Sequence, residues 1–341
     1  MNKITYAPII TDIKMDLQLI DMALRKKDEF KEFNNKAILQ YIIKKASEMT
    51  YLINKYLAED KLYIHYIKKN LLRQILAELN HFYSSANYYI NYNEYDANKL
   101  SEILLKINNY FSEYAKFGSV YLLRHCTKQT RQTTSGNPYS GISTPAVKEE
   151  AMRVAEEIFQ EILISPKNVT IYLSYSEYPR TRIFGEIITR RAIQANHYCD
   201  NKVSIVVAGK DGYDYRIGYG YWSEAAIKEV MPLVEKRGEY EVFISWLDNI
   251  GEVKSMIHQP KPDYIASQVL EFIKYYHDKA NTSSDQYVIA IGISHSWVID
   301  TLLHTMIPEL RNHVSDIIKT AGFCKAECGE FNYMGKWVKL N

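Results

Sequence analysis

The 341-residue sequence is 47% hydrophobic and 24% charged, a globular composition that excludes a disordered chain and a membrane bundle and allows one large domain or two ordinary ones. Its 42 Lys and Arg residues against 40 Asp and Glu give a formal net charge of +2, so no globally basic surface invites nucleic acid. No apolar run approaches the ~20 residues that cross a bilayer, so no membrane partner is expected.

Met1 to Lys14 lacks the basic segment, apolar core and small-residue cleavage site of a secretory signal. The four cysteines, Cys126, Cys199, Cys324 and Cys328, are too sparse for a disulfide scaffold, and no Cys/His pair beside Cys324 and Cys328 stands at zinc-site spacing. A cytoplasmic protein is the expectation.

From Ile13 to Tyr114 the pattern is helical almost throughout. Ile38, Ile42, Ala46, Met49, Ile53 and Tyr56 recur at the spacing of one helix face. Ile64, Ile67, Leu71, Ile75, Leu79, Phe82 and Ala86 form a second stripe, and Leu100, Ile103, Leu104, Ile107 and Phe111 a third, with Asp96 as its amino-terminal cap. Breaks at Asn34-Asn35, Glu59-Asp60 and Asn91-Tyr92-Asn93 divide the region into a bundle of three or four helices. Its other faces carry many of the 29 tyrosines, including Tyr83, Tyr88, Tyr89 and Tyr92. A large ring with a hydrogen-bonding tip suits a protein partner or self-association, and a composition that uses Tyr in place of Phe or Leu gives the same pattern. His65 and His81 have no second ligand at metal spacing and fit packing or capping.

After Phe117-Gly118 strands alternate with helices, the pattern of a parallel or mixed sheet covered on both faces. The expected strands are Val120 to Leu123, Val169 to Leu173, Val203 to Val207 and Tyr287 to Ile293. The expected helices are Pro145 to Ile162, Thr181 to Ala195, Ser223 to Glu235, Tyr264 to His277 and Ser296 to Met306. The loop from Thr130 to Gly141, rich in Thr, Ser, Gly and Pro, follows the first strand and is placed to cover what lies at its end. The organisation expected is a helical bundle over 1–116 and an α/β domain over 117–341.

Three strand ends carry chemistry. Ser119-Val120-Tyr121-Leu122-Leu123 delivers Arg124 and His125 into a loop that continues Cys126-Thr127-Lys128. Val169 to Leu173 runs into Ser174-Tyr175-Ser176-Glu177-Tyr178-Pro179-Arg180-Thr181-Arg182, and Tyr287 to Ile293 ends in Ser294-His295-Ser296. Open α/β sheets place their ligands at the carboxyl ends of their strands.

In this order the segments resemble the histidine phosphatase superfamily, whose apolar first strand ends in Arg-His-Gly, whose second motif supplies an Arg from a helix start and whose last strand ends in a second His. Ser143-Thr144-Pro145-Ala146-Val147-Lys148-Glu149-Glu150-Ala151 resembles the family's Leu-Thr-Pro helix start. The resemblance covers the chain from about Gly118 onward. It implies a phosphoglycerate mutase-like three-layer sandwich with a mostly parallel sheet, here preceded by the all-α bundle. It departs from the family where Phe184-Gly185 replaces a Thr-Ala pair and where Cys126 replaces the Gly after the Arg-His pair.

The same resemblance implies a phosphohydrolase that needs neither metal nor cofactor and acts on a phosphate monoester of open class. His125 is then the nucleophile that becomes phosphorylated, and Arg124, Arg180 and His295 cradle the phosphoryl oxygens, with Lys128 as a fourth donor. Arg182 is the alternative to Arg180. The proton donor falls to Asp214, in the loop Gly209 to Tyr215 after the third strand, with Asp211 and Asp248 as alternatives, because Ser296 stands where part of the family has an acid. A phosphomutase uses the same groups. A catalytically silent scaffold acting through the bundle is the alternative from another class.

Overall fold

The computed structural model describes residues 32–58, 64–92, 97–125, 145–165, 168–197, 202–209, 211–283, 286–306, 323–328, 330–333 and 336–339. The helical reading before residue 32, the Glu59-Asp60 break, the Asp96 cap, the loop from Thr130 to Gly141, the Ser143-Thr144 helix entry, Cys126, Lys128 and Cys199 lie outside them.

Three long helices open the chain: α1 (Glu32–Ala58), α2 (Tyr66–Tyr92) and α3 (Ala97–Ala115). Most stripe positions are buried, with Ala46, Met49, Ile53 and Tyr56 on α1, Ile75, Leu79, Phe82 and Ala86 on α2, and Leu100, Ile103, Leu104, Ile107 and Phe111 on α3. The expected Ile67 and Leu71 of α2 are half-buried, and the neighbouring Leu72 is buried instead. The expected break at Asn34-Asn35 does not occur, because α1 runs through both residues. Asparagine costs a helix only a fraction of a kcal/mol. His65 does cap, since its Nδ1 accepts the Ile67 backbone N–H at 3.2 Å just before α2 begins.

The remainder is α/β. Strands β1 (Ser119–Arg124), β2 (Asn168–Tyr175), β3 (Val203–Val207) and β4 (Gln286–Ser294) are joined to β5 (Phe323–Glu327), β6 (Glu330–Tyr333) and β7 (Lys336–Lys339) in one sheet of order β3-β2-β4-β1-β5-β6-β7. The β3-β2-β4-β1 part is parallel, whereas β5, β6 and β7 extend the β1 edge as an antiparallel meander. That meander was not expected, because its first strand reads Phe323-Cys324-Lys325-Ala326-Glu327 and has no apolar run. Lys325 and Glu327 share one face by strand alternation, and both are fully buried in an ion-paired cluster.

Alternation also assigns the two faces of the sheet. Tyr121 and Leu123 of β1 share a core with Ile171 and Leu173 of β2 and with α4 (Pro145–Leu163) and α5 (Pro179–Ile193). Val120 and Leu122 face the other way, into a core with α6 (Glu224–Arg237), α7 (Glu239–Leu247), α8 (Pro262–Thr282) and α9 (Ser296–Met306). The first of these cores continues without a break into α1, α2 and α3, so the bundle and the sheet share one hydrophobic interior across the expected boundary at residues 116 and 117. Among the described residues no helix is long and apolar enough to cross a membrane.

The connections create a crevice. After β1 and β2 the chain passes to the α4 and α5 face, whereas after β4, which lies between them, it passes to the α9 face. Neighbouring parallel strands that feed opposite faces leave a gap beyond their carboxyl ends, the usual ligand position of open α/β sheets.

Candidate active site

Register brings the two histidines together. Arg124 of β1 pairs with Ser294 of β4, so the residues that follow, His125 and His295, leave the sheet side by side. The His125 backbone N–H donates to Ser294 O at 3.0 Å, and the imidazole rings meet edge to face with centroids 4.7 Å apart. Both are buried, at 7% and 3% exposure, yet both line a cleft of about 520 Å³. Arg124 lines it with them.

The second strand end joins the same point. Tyr175 pairs with Ile293, and the Ser176 backbone N–H donates to Ile293 O at 3.0 Å. Ser176 Oγ then lies 2.9 Å from His295 Nε2 and donates to Thr181 Oγ1 at 3.3 Å. Thr181 in turn donates to Tyr178 O at 2.7 Å, which fixes the entry into α5. The Phe184-Gly185 pair has a packing reason, because a Cβ at Gly185 would stand 3.0 Å from Ile293 Cδ1 and 3.1 Å from Leu173 Cδ1, and its absence lets α5 close on β2 and β4.

Arg180 is a first-turn residue of α5 by its backbone, and its side chain falls outside the described part of the structure. Arg182, the alternative, is exposed and donates from Nε to Glu186 at 3.2 Å. The first turn of α9 adds Ser296 and Trp297 to the cleft wall. Backbone N–H groups at a helix start carry partial positive charge and favour an anion.

The expected proton donor is elsewhere. Asp214 caps the short turn Tyr215–Ile217, and Arg216 holds both of its oxygens, from Nε at 3.0 Å and from its terminal nitrogen at 2.7 Å. Asp214 does not line the cleft, and neither do Asp211, an exposed residue with φ 56°, or Asp248, the exposed cap of α7. Among the described lining residues the one carboxylate is Glu239, whose Oε1 accepts the Trp297 indole N–H at 2.9 Å.

Sequence reasoning passed over Glu239 because α7 was not expected. The available signal was Gly238, which ends α6 with its N–H on Val234 O and, at φ 91° and ψ 150°, turns the chain directly into α7. That backbone region belongs essentially to glycine.

Aromatic rings complete the site. Tyr178 and Tyr219 stack at angles to His295 with centroids 5.1 and 4.6 Å away, and the Tyr219 backbone N–H donates to Glu177 Oε2 at 2.9 Å. Behind the cleft, Asp300 of α9 is buried, and its Oδ2 has no hydrogen-bond partner among the described residues. Burial pushes its carboxyl up to about 8, Arg124 opposing the rise and Glu239 adding to it. Among the described residues the cleft wall therefore brings together one guanidinium, two imidazoles, the first turn of α9 and one carboxylate. No family model matches the chain, and no curated protein does.

Proposed function

We propose that the chain is a phosphohydrolase of phosphoglycerate mutase-like fold that cleaves a phosphate monoester through a phosphohistidine on His125. The observation that carries this reading is the meeting of His125 and His295, rings 4.7 Å apart, in a cleft that Arg124 also lines at the carboxyl ends of parallel strands. The sequence order of Arg-His, helix-start Arg and second His supports it independently.

In the first step a ring nitrogen of neutral His125 attacks phosphorus, the P–N bond forms and the ester P–O bond breaks. Arg124, His295 and, from the first turn of α5, Arg180 neutralise the equatorial oxygens. The leaving oxygen takes the proton of the Glu239 carboxyl group. In the second step the Glu239 carboxylate takes a proton from water, whose oxygen attacks phosphorus as the P–N bond breaks, releasing phosphate and neutral His125. Every proton is carried by a side chain.

The test is phosphate release from an aryl phosphate by wild-type and His125→Ala protein in chelator, from mildly acidic to mildly basic pH. Release by the wild type, lost by at least about 10³-fold in a variant with unchanged circular dichroism, is the expected result. Equal rates, or no release from either, would overturn the reading.

A further inference from the structure

The cleft is much larger and less polar than a phosphate group requires. At about 520 Å³ it lies within the usual range of small-molecule sites. Beyond the two histidines its wall is formed by Trp222 and Trp297 and by Ile227, Val230, Met231 and Val234, which line up along one face of α6. Those four positions follow helical periodicity, so the stripe is continuous and runs toward solvent, with Met231 44% exposed.

Charge is sparse in the described wall. Among the described lining residues Arg124 is the single permanent cation and Glu239 the single carboxylate. The apolar lining side chains of α6 offer no polar partner to the rest of the substrate. Trp222 adds a directional feature, because its buried indole N–H has no acceptor among the described residues while the ring lines the cleft. A buried donor of this kind suits an acceptor atom on a ligand.

Resting on the phosphohydrolase reading, we infer that the substrate is the monoester of an apolar, ring-bearing alcohol or phenol, with the ring against the tryptophans and the α6 stripe. Flat rings gain from edge and face contacts with Trp and Tyr, and such a pocket discriminates through apolar contact. Glycerol phosphates and sugar phosphates leave this wall uncovered.

The experiment compares kcat/KM of the full chain for 1-naphthyl phosphate, a phosphotyrosyl peptide and glycerol 2-phosphate. Calorimetric titrations with benzylphosphonate and methylphosphonate run alongside. Either aromatic substrate should exceed glycerol 2-phosphate at least about tenfold, and the faster of the two tells whether the ring comes from a free small molecule or a tyrosyl side chain.

Met231→Glu should reduce the ratio of 1-naphthyl to glycerol phosphate turnover about tenfold. Turnover of all three at equal rates, or preference for glycerol 2-phosphate, would overturn the inference and leave the phosphohydrolase reading standing. Absence of any turnover, with benzylphosphonate bound at least tenfold tighter than methylphosphonate, would overturn the phosphohydrolase reading and leave the cleft as a binding site for an apolar, ring-bearing phosphate. Equal binding of the two phosphonates would overturn the apolar site whatever the turnover.

Discussion

His295 Nε2 lies 2.9 Å from Ser176 Oγ, a contact between the ends of β4 and β2 that ties the second histidine to the entry of α5. The Ser176 hydroxyl, which donates onward to Thr181 Oγ1 at 3.3 Å, fixes the orientation of the His295 ring. Ser176→Ala should lower kcat with little change in KM, by about fivefold for the loss of one neutral hydrogen bond worth about 1 kcal/mol. Steady-state kinetics across pH checks it. A change confined to KM would place the hydroxyl in substrate binding instead.

Glu239 stands at the start of α7 on the cleft wall, with Trp297 donating to its Oε1. If it protonates the leaving oxygen, its importance depends on the leaving group. Glu239→Gln should lower kcat about 10²–10⁴-fold for an alkyl phosphate, whose alkoxide needs a proton, and far less for 4-nitrophenyl phosphate, whose phenolate leaves unassisted. Asp214→Asn serves as the comparison, because Arg216 occupies both Asp214 oxygens. Equal losses on the two substrates, or a larger loss from the Asp214 variant, would remove Glu239 from the proton-donor role.

Asp300 gives the molecule a pH dependence of known sign. Burial pushes its carboxyl up to about 8, Arg124 opposing and Glu239 adding, against about 3.9 in an unfolded chain. The folded state therefore binds this proton more tightly, and the stability it contributes is complete below about pH 4 and lost as pH rises through about 8. Asp300→Asn should flatten that slope, gaining on the wild type in urea midpoint between about pH 5 and pH 9. A difference between the two proteins that stays constant across this window would show that Asp300 is ionised throughout.

Much of this architecture was legible because apolar periodicity and strand-end polarity act locally. The stripes through Met49, Phe82 and Ile107, the strands ending at Arg124 and Ser294, and the histidines after them all lie in short contiguous patterns. What stayed hidden depends on distant partners. Lys325 and Glu327 look like surface residues until Lys68 and Glu161, far away in sequence, bury them. Glu239 was one acid among 40 acidic residues until Gly238 and Trp297 placed it in the cleft. Asp214 was favoured for its place in a loop after a strand, which says nothing of the arginine that engages it.

The buried charges at the opposite end of the sheet from the cleft yield the last prediction. Lys68 of α2 bonds to Glu327 and to the Tyr287 hydroxyl, Lys325 Nζ donates to Glu161 Oε2 at 2.9 Å, and Ser119 Oγ donates to Glu327 Oε1 at 2.7 Å. Two lysines balance two glutamates with all four side chains at 1% exposure or less, so the cluster is neutral and joins the helical region to β1, β4 and β5. Burial alone would raise the Glu161 carboxyl, but Lys325 and Lys68, with the Ser119 and Tyr121 hydroxyls, hold it well below the usual range, and Glu327 is lowered by the same two cations. Both carboxylates therefore contribute stability that is present above about pH 4.3 and lost as pH falls below it. Lys68→Met leaves two buried carboxylates facing one lysine and should cost about 3–5 kcal/mol in urea unfolding at neutral pH. The double variant Lys68→Met with Glu327→Met restores neutrality with apolar side chains and should recover most of that loss. Additive losses in the double variant would mean that the two residues do not form a coupled pair, and a Lys68→Met protein as stable as the wild type would mean that the helical region is held by its apolar core alone.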